Sequence, residues 1–372
     1  MASLDQKKLI DLTSQLIKMR TTTDQPDQLK QAVQFVAALF SDLPVTIKQY
    51  ESRGKPSIVV LTQDTTEPDV LLCGHLDVVP AQENLFDPTL RDGRLFGRGA
   101  CDMKSGAAVL ILLMRHFVQK PLPVSLGLML STDEEVGGAD GVGYLVNEIG
   151  YKTKLAIIPD GGNSPDQVIV KNKGLLHLKL SSKGKRAHAS RPWEGESAIH
   201  KLIEALNHIR LLFPEIKQES WADTLNIGVI SGGQAINQVP DEASATLDIR
   251  FTEKTDPEEV LKKIHEAAPN CEIQILLQSK VSFTNPDHPF LELYGKTLKD
   301  ELGLEAKFQG TPGGNDGRFF TAKGIPMLVA RPMSGGLHGP DEWLDVAEFS
   351  AYANLLEKYL TELAALIRSG TG

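Results

Sequence analysis

Five residues of metal-binding type, His75, Asp102, Glu135, Asp160 and His338, draw attention because three of them come directly after short apolar runs. His75 lies in Gly74-His75-Leu76-Asp77-Val78-Val79-Pro80 and Asp102 in Gly97-Arg98-Gly99-Ala100-Cys101-Asp102-Met103-Lys104. Glu135 lies in Ser131-Thr132-Asp133-Glu134-Glu135-Val136-Gly137-Gly138. Two imidazoles and three carboxylates make the mixed nitrogen and oxygen set that suits zinc, with cobalt or manganese as alternatives. If one carboxylate bridges, five ligands can hold two divalent metals about 3.5–4 Å apart, an arrangement suited to hydrolysis.

The elements that must position these residues can be read from hydrophobic periodicity. Ser3 to Gln6 reads as a capping box, after which Leu9, Leu12, Leu16 and Met19 recur at helical spacing. Leu29, Val33, Val36 and Phe40 mark a second helix. Ser57–Leu61, Val70–Cys73, Val124–Leu130 and Leu155–Ile158 are short apolar runs of the kind found in buried strands. Between them, Ala107–Met114 and Val142–Ile149 read as helices, the first with Asp102 as its expected cap. This alternation predicts an α/β domain with a mainly parallel sheet covered by helices. In such sheets ligands bind beyond the carboxyl ends of the strands, where His75, Glu135 and Asp160 would emerge. Adjacent Glu134 and Glu135 can reach one site only if the chain turns there, and Val136-Gly137-Gly138 permits that.

From Gly174 the order changes to strand, helix, strand, strand, helix, strand, a split ferredoxin-like βαββαβ arrangement. The expected organisation is a discontinuous catalytic domain, residues 1–173 and 285–372, with an inserted lid and dimerisation domain at 174–284.

The 372 residues are too many for one ordinary core, and 41% hydrophobic with 23% charged is typical of a globular chain. A net charge of −9 argues against nucleic acid and anionic membranes as partners. The longest apolar run, Gly106 to Met114, is too short for a membrane span, and Met1 to Lys8 shows no apolar stretch after a basic start, so no secretory signal is expected. Cys73, Cys101 and Cys271 cannot all pair and have no CxxC spacing. A cytoplasmic location with reduced thiols is therefore expected.

On these motifs the sequence resembles the zinc-dependent exopeptidase and deacylase family that includes succinyl-diaminopimelate desuccinylase, acetylornithine deacetylase, aminoacylase, carnosine dipeptidase and glutamate carboxypeptidase. The resemblance runs over essentially the whole chain. It implies that His75 and Asp160 bind one metal, that Glu135 and His338 bind the other, and that Asp102 bridges them. It further implies that Asp77 orients His75, that Glu134 is the general base, and that His188, in Ala187-His188-Ala189-Ser190-Arg191-Pro192, is a lid histidine able to reach a neighbouring subunit's site. Thr311-Pro312-Gly313-Gly314-Asn315-Asp316-Gly317-Arg318 resembles the family's glycine loop, making Gly313, Gly314 and Arg318 candidate substrate contacts, with Asn237 and Arg250 as further lid positions. Arg318 could grip a carboxylate in bidentate fashion.

Formal charge agrees with two metals, because three carboxylates and one hydroxide balance two divalent ions. The expected protein is a homodimeric two-metal hydrolase cleaving an amide bond in a small carboxylate-bearing substrate. Deacylases of the family mostly carry Glu where Asp160 stands, whereas dipeptidases often carry Asp. A dipeptidase or carboxypeptidase is thus the leading expectation, an N-acyl-amino-acid deacylase such as a desuccinylase or acetylornithine deacetylase the alternative, and an inactive relative that binds amino-acid derivatives the reading from a different class.

Overall fold

A computed structural model describes residues 4–217 and 220–370. The chain forms two compact units, one of Met1–Lys171, Phe283–Thr311 and Asn315–Gly372, the other of Asn172–Ser282 and Pro312–Gly314.

The first unit is built on a nine-stranded sheet among the described residues. At its centre Leu126–Ser131, Val70–His75, Leu155–Ile158 and Met327–Val329 lie side by side in that order, all parallel. Every residue of these four strands is buried, as expected of parallel strands covered on both faces. Alternation sorts their side chains: Val70 and Leu72 face one apolar cluster, Leu71 and Cys73 the other. The first cluster is filled by the helices Gln6–Lys18, Pro26–Leu39, Lys104–Gln119 and Val346–Arg368. Each fully buried Leu, Val or Ile contributes roughly 1.5–3 kcal/mol, so the two clusters fix where the strand ends fall.

The flanks of the sheet are antiparallel. Thr46–Ser52 pairs with Lys55–Leu61, which in turn pairs with Leu126–Ser131, and Gln167–Asn172 meets Met327–Val329 on the other side. The outer strand Thr46–Ser52 has no fully buried residue, so its sequence carries little hydrophobic signal.

Three local expectations change. Asp102 does not cap the helix after it: the helix starts at Lys104 with Met103 at its N-cap and no side-chain cap bond. Asp102 is instead turned toward two imidazoles. The helix expected over Val142–Ile149 is a short α-turn, Val142–Tyr144, running into a π-turn, Leu145–Ile149. Ser3 of the expected capping box lies outside the described residues, and Asp5 caps the first helix by accepting from Lys7 N.

The second unit is the βαββαβ order that the sequence suggests. Its antiparallel strands are arranged Thr224–Gly232, Glu242–Phe251, Gly174–Lys183, Cys271–Ser279. Helices Ala198–Arg210 and Pro257–Ala267 share an apolar cluster with Leu176, Leu178, Leu180, Leu247 and Ile249 of the sheet. A short ribbon pairs Ala187–His188 with Gln238–Val239. No described helix is long and apolar enough to cross a membrane.

Candidate metal centre

His75 is the last residue of Val70–His75, and Asp160 follows the adjacent strand Leu155–Ile158 by two residues. On the other side of His75, Leu126–Ser131 runs into a single 3-10 turn, Glu134–Val136. That turn closes through Gly137 at φ 109° and Gly138 at φ 60°, backbone conformations that favour glycine. It lets the adjacent acids Glu134 and Glu135 serve two different clusters. His338 is itself in the left-handed region at φ 58°.

The donor atoms form two groups. His75, Glu134 and Asp160 each offer one atom within 4.8 Å of the others, and so do Asp102, Glu135 and His338. Asp102 joins them: its Oδ1 is 3.2 Å from His75 Nε2 and its Oδ2 is 3.2 Å from His338 Nε2. His338 Nε2 is also 3.3 Å from Glu135 Oε2, and His75 Nε2 is 4.0 Å from Asp160 Oδ2. The peptide between Asp102 and Met103 is cis.

Asp77 works on both sides of this site. His75 Nδ1 is 3.0 Å from the Asp77 carbonyl oxygen, which leaves Nε2 to face Asp102. The Asp77 carboxylate accepts from Glu134 N at 3.3 Å and Glu135 N at 3.1 Å, holding the turn that carries the two acids.

The electrostatics are those of a site short of positive charge. Burial would lower the pKa of His75, yet its hydrogen bonds to Asp102 and Asp77 raise it well above the ordinary value. Asp102, then Glu135, raise His338 to about 10. Burial, followed by the charge of Asp102, pushes Asp160 well up, and burial followed by Asp160 does the same to Glu134. Two imidazoles and several buried acids at these spacings are the donor chemistry that borderline divalent cations take, and the residues fit such a pair of ions.

Two buried residues support the site without any motif spacing that would single them out. Arg331 Nη2 donates to Asp160 Oδ1 at 2.9 Å and Nη1 to Cys101 Sγ at 3.0 Å. Glu342 Oε1 accepts from the backbone N–H of Gly99, Cys101 and Asp102. The one sequence signal for Arg331 is its place just after an apolar strand, and for Glu342 its place four residues beyond His338.

The remaining candidates are placed as follows. Arg318 opens the short helix Gly317–Thr321 and donates from Nη2 to the Gly137 carbonyl at 2.5 Å, tying the Glu134–Glu135 turn. Gly313 and Gly314 belong to the second unit, where Asn172 Nδ2 donates to the Gly313 carbonyl. The ribbon of that unit brings His188 and Asn237 together, with Ala189 N donating to Asn237 O at 2.9 Å. His188 Nδ1 accepts from Ser190 N at 3.2 Å and lies 2.8 Å from Ser190 Oγ, so the proton of the neutral ring sits on Nε2. Arg250 is held by its own neighbour, with Nε and Nη2 donating to the two Asp248 oxygens at 2.7 and 3.0 Å.

Comparison with known proteins places the fold and the family. Succinyl-diaminopimelate desuccinylase of Janthinobacterium sp. (strain Marseille) is 26% identical over 384 residues, covering 96% of this chain and 99% of the relative. The M20 family metallo-carboxypeptidase Sso-CP2 from Sulfolobus solfataricus superposes with a TM-score of 0.80 at 20% identity, covering 98% and 100% of the two chains. Aminopeptidase PepT from Bacillus cereus ATCC 10987 gives 0.79 at 20% identity, covering 97% and 99%. These two structures share the fold. The pattern of peptidase family M20/M25/M40 matches residues 71–362, most of the chain, and the protein belongs to that family of metal-dependent hydrolases.

Proposed function

We propose that the protein is a two-metal amidohydrolase acting on a small substrate with a free carboxylate, a dipeptidase or carboxypeptidase in the first instance. The observation that carries this reading is Asp102, whose two oxygens each face a different imidazole. A carboxylate so placed suits a bridge between one cation held by His75 and Asp160 and another held by Glu135 and His338. When bound, zinc or cobalt ions would supply Lewis acidity toward the scissile carbonyl and lower the pKa of water to about 7.

The chain's own groups account for the proton movements. Glu134 takes a proton from the attacking water as oxygen bonds to the carbonyl carbon, and returns it to the leaving nitrogen as the C–N bond breaks. His188, with its proton on Nε2, serves as a hydrogen-bond donor to the developing oxyanion. Arg318, Asn237 and Arg250, with the backbone at Gly313 and Gly314, serve the substrate's polar groups. We assign the second unit as lid and dimerisation domain of a homodimer.

A second reading, removal of an N-succinyl group, is favoured by the curated relatives of the kind found in Janthinobacterium. The test is incubation of zinc- or cobalt-loaded protein with dipeptides and N-succinyl, N-acetyl and other N-acyl amino acids, with products followed by mass spectrometry. Free amino acids released from dipeptides alone support the exopeptidase. Cleavage confined to acylated amino acids replaces it with the deacylase, and inertness toward both classes overturns the proposal.

A further inference from the structure

Asp102 and His338 lie on loops far apart in sequence, yet their side chains must meet at one cation. The backbone, not the two side chains, has to hold them in register. Glu342 is fully buried and does this from between the loops. Its Oε1 accepts from Gly99 N at 3.0 Å, Cys101 N at 2.8 Å and Asp102 N at 2.9 Å, gathering the Asp102 loop around one oxygen. Its Oε2 receives Arg98 Nη1 at 2.5 Å. Arg98, 3% exposed, then donates from Nη2 to the His338 carbonyl at 3.1 Å and lies 3.4 Å from that of Gly339. The Glu342 carbonyl in turn accepts from Gly97 N at 3.1 Å.

We infer that Glu342 is a positioning residue for the cation site of Asp102, Glu135 and His338, acting on Asp102 directly and on His338 through Arg98. The inference rests on reading those three residues as metal ligands. The guanidinium is essential to it because His338 is a non-glycine residue in the left-handed region, a conformation that persists only where its surroundings enforce it. Arg98 grips the carbonyl of that very residue. The carboxylate is essential because one oxygen collects three N–H groups, which a neutral amide would bind more weakly while turning an N–H toward Arg98.

The experiment is titration of chelator-stripped full-length protein with cobalt(II), followed by calorimetry and by visible absorption, which reports ligand geometry. Wild type is expected to take up two ions per chain. Glu342→Gln should weaken the ion of Glu135 and His338 by about 10–100-fold, the usual cost of losing a group that holds a ligand, weaken the other ion sharing Asp102 by less, and shift the absorption band. Arg98→Lys keeps the charge but loses the reach to both loops, and should weaken the same ion in the same direction if Glu342→Gln does not fold. His338→Ala should remove that ion, and adding Glu342→Gln to it should weaken the remaining ion, which still uses Asp102, by less than Glu342→Gln alone weakens the ion of Glu135 and His338. Two ions bound with wild-type affinity and spectrum by both Glu342→Gln and Arg98→Lys would reduce Glu342 to a structural residue and sink the inference. Wild type that binds no cobalt would sink the metal reading, and this inference with it.

Discussion

Arg331 and Asp160 form an ion pair of 2.9 Å in which both side chains are nearly buried. The guanidinium takes Asp160 Oδ1 and leaves Oδ2 toward His75. It thereby stands in for some of the positive charge the acids demand, and this role should be largest when no cation is bound. Breaking a buried pair from one side costs about 3–5 kcal/mol. Arg331→Met should therefore lose about that much stability without metal and clearly less with saturating zinc, as measured by urea unfolding in both states. Equal losses in the two states would mean that Arg331 acts on packing alone.

Glu134→Ala should keep its fold and its metal content but lose roughly three orders of magnitude or more in turnover. Metal analysis after dialysis, combined with kinetics on whichever substrate class proves active, checks this. Turnover within tenfold of wild type would remove Glu134 from the proton path.

Asp102 is the residue whose loss should affect both cations. Asp102→Ala is expected to retain fewer bound ions after dialysis than His338→Ala, which should lose one. Cation binding to the native state alone raises stability by about 2.7 kcal/mol at a hundredfold excess over Kd, so stripping with a chelator should lower the melting temperature of wild type and change Asp102→Ala little. A chelator response in Asp102→Ala equal to that of wild type would contradict a bridging carboxylate.

Asp316 supplies a pH signature. Burial raises its carboxyl to about 7, only partly opposed by Arg318. The unfolded chain releases this proton near pH 3.9, so the native state holds the extra proton between about pH 4 and 7. Stability from this group is complete below the unfolded pKa and is lost as pH rises through about 7. Asp316→Asn lacks the titration, and its stability relative to wild type should rise on the order of 2–4 kcal/mol from pH 4.5 to 8. A constant difference across that range would show that Asp316 ionises normally.

The site was legible to the extent that its residues follow apolar strands. His75, Glu134, Glu135 and Asp160 carry that mark because parallel strands are buried on both faces and so read as continuous runs. The βαββαβ unit was equally open to reading, since its two central strands alternate and its helices carry apolar stripes. Arg331 and Glu342 were not, because a buried ion pair and a carboxylate feeding backbone amides leave no periodicity. Asp102 read from its motif both as a ligand and as the cap of the next helix, and the cap reading fails because that helix begins at Lys104 with no side-chain cap bond.

The strand Met327–Val329 lies between Leu155–Ile158 and Gln167–Asn172, though it is synthesised long after both. At 5–20 residues per second, roughly ten to thirty seconds separate their emergence from the ribosome. Throughout that interval two apolar strands wait with open edges, a state prone to aggregation. Newborn chains should thus depend on holding chaperones, and a premature stop codon anywhere before Met327 should yield insoluble material rather than a partly working enzyme.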